Sequence, residues 1–234
     1  SSVKKTDIHI HITADRPTFV EKAKTDNFHL VNVALEINKG WGDVYFKYNH
    51  GKNQQEQNPE TVDLVTAFAV SDWDDPAWED RVIRWLDSCF NEGAVGVKVW
   101  KNIGMVSRDF EKHPEYHMYK QPGMPSHEEI IASRDRMLEK HPNLRFVGAH
   151  MGSLEYSVDS LAARFEKFPN MAIGLAARMG QVFFQTVENR EKVRDFFIKY
   201  QDRIMYGTDL ADNGQMTEAS LVNRMDNTWK RDWE

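Results

Sequence analysis

Near its start the sequence carries Asp7-Ile8-His9-Ile10-His11, an alternation able to do chemistry. On a β-strand, residues two apart project from the same face. His9 and His11 would therefore present two imidazoles side by side, with Ile8 and Ile10 facing the other way. Imidazole suits zinc, iron, nickel or manganese. A divalent cation held there lowers the pKa of water from 15.7 to about 7. The alternative is one surface histidine and one satisfied core histidine. Three further polar groups lie at or near the ends of apolar runs: His150 after Phe146-Val147-Gly148-Ala149, Asp209 after Ile204-Met205-Tyr206-Gly207-Thr208, and Lys98 within Val97-Lys98-Val99-Trp100-Lys101. A lone strand-end His or Asp is more often a cap or a turn residue than a catalyst. Several of them in one chain are harder to dismiss.

The elements that must position these groups alternate. Short apolar runs at residues 3–12, 28–37, 61–70, 94–100, 144–150, 171–176 and 203–209 read as strands. Between them lie amphipathic stretches: a short helix from Pro17 to Lys24, a helix over 75–93 with Gly93 as its stop, and a helix from Ser126 with Glu129 three residues later as a capping box. Further helices are expected over 157–169, 186–200 and 217–233, whereas the polar run 49–60 is unlike a packed helix. Strand–helix alternation points to βαβ units and a parallel sheet in a single domain, 1–234. In barrels of this kind, chemistry gathers at the strands' C-terminal ends.

Composition excludes several classes. The net charge of −6 argues against a sequence-independent grip on phosphate backbones. Nucleic acid is not an expected partner. No apolar run approaches a membrane span, and the first residues lack a signal-peptide core; a cytoplasmic location is expected, with an exported mature chain as the alternative. The single cysteine, Cys89, rules out an intrachain disulfide and a cysteine-based zinc site, and reads as a small buried hydrophobe.

The motifs DIHIHI, GVKVWK, FVGAHMG and IMYGTD, in that order, resemble the amidohydrolase-related (amidohydrolase 2) family of metal-dependent enzymes. The resemblance spans most of the chain and implies a (β/α)8 TIM-like barrel. It further implies His9, His11 and Asp209 as metal ligands, with Asp209 also taking a proton from water. His150 would act on substrate or water. Lys98 would bridge two metals as a carbamate or contact substrate, against the alternative of a lysine reaching to solvent. Arg178, after Met171–Ala177, could clamp a substrate carboxylate, against the alternative of a surface salt bridge, and Trp100 could line the same mouth. The family's fifth strand, with its histidine, has no match: residues 107–125 hold no buried-strand run. Either residues are missing from that stretch or the barrel is damaged. Omission is favoured, since losing a central strand exposes two sheet edges. His113, His117 and His127 lie nearby as loop and helix-start residues. His50 and His141 are expected to face solvent, and His29 to be structural.

The expected activity is hydrolysis of a small-molecule ester, lactone or amide, using zinc or else manganese, as one or two ions. The alternatives are a metal-dependent decarboxylase or hydratase of a small carboxylated or aromatic compound, and a barrel that binds a ligand without turning it over. A homo-oligomer stays open.

Overall fold

The computed structural model describes residues 3–37, 40–99 and 125–233. The first half runs β1 (Lys5–Ile12), α1 (Thr18–Thr25), β2 (Phe28–Val33), α2 (Gly40–Gln57), β3 (Val62–Ala67), α3 (Trp78–Asn91) and β4 (Ala94–Lys98). The second runs α4 (His127–Lys140), β5 (Phe146–Gly148), α5 (Val158–Lys167), β6 (Met171–Gly174), α6 (Met179–Glu188) and α7 (Arg190–Lys199). It ends with β7 (Ile204–Met205), β8 (Leu210–Asp212) and α8 (Glu218–Trp233).

Every strand pair is parallel, in the orders β4-β3-β2-β1-β8 and β5-β6-β7. The two sheets are stitched by one segment. The run expected as a single strand over 203–209 pairs with β6 through Ile204 and Met205, then crosses to β1. Ile8 N–H donates to Tyr206 O at 3.0 Å and Asp209 N–H to His9 O at 2.8 Å, after which β8 takes up the pairing. The described strands thus form one parallel array with β4 and β5 as its outer members. That is an α/β fold with a parallel sheet. Residues 107–124 of the expected fifth-strand gap lie outside the described residues.

Helices cover the array because their apolar stripes match it. Ile10, Ile12 and Leu30 from β1 and β2 bury against Phe19, Leu221 and Trp229 of α1 and α8. Met171 and Ile173 of β6 bury with Leu161, Phe165 and Phe196 of α5 and α7. The capping box at α4 forms, Ser126 Oγ accepting from Glu129 N and Glu129 Oε2 accepting from Ser126 N at 2.6 Å. Gly93 ends α3 at φ 97°, a conformation that favours glycine.

Three expectations fail here. The polar run 49–60 is largely helix: α2 buries Val44, Tyr48, Gly51 and Gln54 at helical spacing. A Cβ on Gly51 would come within 2.5 Å of Leu64 Cδ1, so glycine lets α2 lie directly on β3. The helix expected over 186–200 is two, because Asn189 is extended (φ −153°) and caps α7 by accepting from Lys192 N at 3.0 Å. Finally, β1 does not alternate strictly. Its pairing with β2 advances three residues from Asp7 to Ile10 while β2 advances two, from Leu30 to Asn32, a bulge of one residue. Ile8 therefore does not share the face of Ile10: it packs toward Gly174 and Gly207 instead.

Candidate metal centre

His9 lies within the bulge and His11 just beyond it. His9 is 4% exposed, and its ring centroid lies 5.1 Å from that of His11 and 5.2 Å from that of His150. Asp209 arrives from the stitching segment, its backbone N–H on His9 O, in a left-handed conformation at φ 62°. Its Oδ1 stands 3.0 Å from His11 Nε2 and 3.5 Å from His9 Nε2. The ligand atoms of His9, His11 and Asp209 all lie within 4.8 Å of one another. Among the described residues these three make the one such group.

The donor set fits a cation. His11 Nδ1 lies 2.7 Å from the carbonyl of Val33, so it carries the proton and donates. Its Nε2 then faces a carboxylate oxygen of Asp209 at 3.0 Å, an arrangement that requires a proton or a cation between them. A backbone carbonyl that fixes the tautomer and aims the other nitrogen is the usual support of a ligating histidine. His9 is pushed down to about 2, first by burial and then by the charge of Lys98 and the neighbouring His11 ring, so it is neutral at physiological pH. Burial opposes ionisation of Asp209, but the His11 hydrogen bond and the neighbouring imidazoles outweigh it and bring the carboxyl down to about 2. An ionised carboxylate beside a neutral His9 suits a divalent cation.

The remaining expected residues take different places. His150 does not end a strand: β5 stops at Gly148, and His150 sits on a turn with φ 54° and ψ 47°, its Nδ1 donating to Ala176 O at 2.9 Å. Lys98 ends β4, half-buried, and its charge reaches His9. Arg178 follows β6 and α6 starts behind it; its Nε donates to Glu155 Oε1 at 2.9 Å. Burial lowers the Arg178 pKa while the charge of Asp209 acts the other way. Trp100, His113 and His117 lie outside the described residues. Of the other histidines, His127 starts α4 with its Nε2 2.7 Å from Ser153 O, and His29 pairs with Asp63 at 2.9 Å. His50 is not solvent-facing but half-buried, with its Nδ1 3.0 Å from Asp15.

Residue-type reasoning passed over Asp7, Thr208 and Asn32, all buried polar groups behind the site. Asp7 accepts from Thr208 N at 3.0 Å, Thr208 Oγ1 at 2.6 Å and His9 N at 3.2 Å. Burial raises its pKa to about 6 against those hydrogen bonds. Asn32 accepts from Ile12 N at 2.9 Å and donates to Ile12 O at 3.2 Å. The available signal was a polar residue inside each apolar run.

With this geometry fixed, comparison with known proteins decides the family. A family model described as Amidohydrolase matches residues 65–215, well over half of the chain. The chain belongs to this family. Its members are enzymes, so this amidohydrolase-family chain is one too. The matched span takes in Lys98, His150, Arg178 and Asp209 and leaves out His9 and His11. A search of curated proteins finds no match. Among solved structures, 2,6-dihydroxybenzoate decarboxylase from Rhizobium is similar at 12% identity and a TM-score of 0.54, with 96% of this chain and 92% of that one covered. A 5-carboxyvanillate decarboxylase from Sphingomonas paucimobilis aligns at 15% identity and a TM-score of 0.45, over 92% and 77% of the two chains. A 4-oxalomesaconate hydratase from Rhodopseudomonas palustris aligns at 12% identity and a TM-score of 0.41, over 88% and 62%. At these identities the likeness speaks to the fold alone. Among the described residues no helix is long and apolar enough to cross a membrane.

Proposed function

We propose that this amidohydrolase-family chain is a divalent-cation-dependent hydrolase of small molecules, with His9, His11 and Asp209 holding the ion at the mouth of a (β/α)8 barrel. The observation that carries this reading is the convergence of those three side chains, from β1 and from the segment between β7 and β8 far along the sequence, within 4.8 Å. Zinc suits two imidazoles and a carboxylate, and manganese is the alternative. A divalent cation there supplies Lewis acidity toward a substrate oxygen and an acidified water.

The chain's own residues do the rest. Asp209, ionised and on the edge of the group, accepts the proton from the attacking water and passes it to the leaving group. His150 has its Nδ1 proton committed to Ala176 O, which leaves Nε2 as the basic nitrogen facing the site. Lys98 and Arg178 bring positive charge to the same region, which favours a substrate bearing a carboxylate. That cationic rim also supports a second reading, release of CO2 from, or addition of water to, a small carboxylated or aromatic compound.

The test joins metal analysis to a substrate panel. Purified protein is expected to hold close to one zinc or manganese per chain, and His9→Ala and Asp209→Ala to lose turnover while still melting cooperatively. Esters, lactones and amides set against hydroxylated aromatic acids separate hydrolysis from CO2 release. Either variant keeping both its metal and full activity would defeat the assignment.

A further inference from the structure

The segment that delivers Asp209 is held in an unusual way. Between Tyr206, whose carbonyl accepts from Ile8 N, and Asp209, whose N–H donates to His9 O, the amide of Thr208 does not use a strand carbonyl. It donates to Asp7 Oδ1 at 3.0 Å, while Thr208 Oγ1 donates to Asp7 Oδ2 at 2.6 Å. The same hydroxyl oxygen accepts from Leu210 N at 3.2 Å. The backbone on both sides of Asp209 is therefore tied to one buried side-chain pair. Asp7 Oδ1 also accepts from His9 N at 3.2 Å, so the carboxylate holds both strands at the point where β1 bulges.

This matters because Asp209 sits at φ 62°. A non-glycine residue in that region costs roughly 1–3 kcal/mol and persists only where its surroundings over-determine it. Asp7 is fully buried and Thr208 is 8% exposed, so neither contact is a solvent-frayed one. We infer that Asp7, acting through Thr208, is a positioning residue that holds the Asp209 carboxylate against His11 and His9. The contact itself stands on geometry alone, and its consequence for cation affinity rests on the function proposed above.

Thr208→Val keeps the shape and removes the hydroxyl; Thr208→Ser restores it. Two readouts separate positioning from plain stability. In cation-free protein, the 15N and 1H signals of the His11 ring report its contact with Asp209. Chelator-competition titration with zinc reports affinity. Thr208→Val is expected to shift the His11 signals and to weaken zinc binding about 10–100-fold, the usual cost of losing a group that orients a ligand. Thr208→Ser is expected to return both toward the parent. A folded Thr208→Val with the parent's His11 signals would overturn the inference, whatever its zinc affinity. If the parent binds no zinc that His9→Ala abolishes, the metal reading falls, and the His11 signals still decide the positioning role. Should Thr208→Val not fold, Asp7→Asn carries the same two measurements, since its single amide oxygen cannot accept from both the Thr208 N–H and the Thr208 hydroxyl.

Discussion

Replacing Asn32 with leucine is the sharpest probe of how β1 is held. The two side chains have the same number of heavy atoms, so the change removes polarity with little change of shape. Asn32 is 3% exposed, accepts from Ile12 N at 2.9 Å and donates to Ile12 O at 3.2 Å. In the variant both bonds go, and no water replaces them in a closed core. An orphaned buried amide costs about 1–3 kcal/mol, and the longer bond to the carbonyl about 0.5–1 kcal/mol more. Leucine's apolar burial returns about 1 kcal/mol. The net expectation is a loss of roughly 0.5–3 kcal/mol, read as a lower urea midpoint at unchanged slope. Ile12 adjoins His11, whose ring is aimed by Val33 O, the residue after Asn32, so zinc affinity should fall as well. A variant within about 0.5 kcal/mol of the parent, the range of a neutral surface change, would refute the claim that Asn32 holds the bulged strand.

Two further outcomes follow from packing. A Cβ on Gly148 would sit 2.8 Å from Gly152 Cα, backbone against backbone, so Gly148→Ala should cost about 1–3 kcal/mol and displace the His150 turn; a urea melt matching the parent would contradict this. Cys89 is fully buried, and burial raises its pKa. Its thiol should react with an aromatic disulfide only as fast as the protein unfolds, and immediate labelling in native buffer would show the α3 packing to be wrong.

The sequence made the alternation of strands and helices legible because apolar periodicity reports burial directly. It failed where burial is not apolar. Gly51 and Gln54 pack α2 onto β3, yet one has no side chain and the other is an amide, so the run read as unpacked. The double role of residues 204–212, pairing first with β6 and then with β1, leaves no mark in a hydrophobic pattern. Nor does a one-residue bulge. His9, His11 and Asp209 were legible as a set because several polar groups recur at or near the ends of apolar runs, where any one alone would read as a cap or a turn residue. The acceptors that aim the histidines, Val33 O and Ala176 O, are backbone atoms that every residue type carries. No reading of residue identity could have found them.

The placement of the site follows from where the sheet's own bonding lapses. Regular parallel pairing would point His9 and Ile8 to opposite faces and would leave Asp209 in extended geometry, facing away from one imidazole or the other. The bulge in β1 and the left-handed Asp209 both lie where the three side chains meet. Buried polar side chains bond the backbone beside both irregularities: Asn32 on Ile12, and Asp7 on Thr208 and His9. The polar core behind the site is thus the condition for having the site at all. It follows that substitutions there should harm cation binding more than their cost in folding stability accounts for, whereas substitutions among Leu161, Phe165 and Phe196, in the helix-side core of α5 and α7, should harm stability alone.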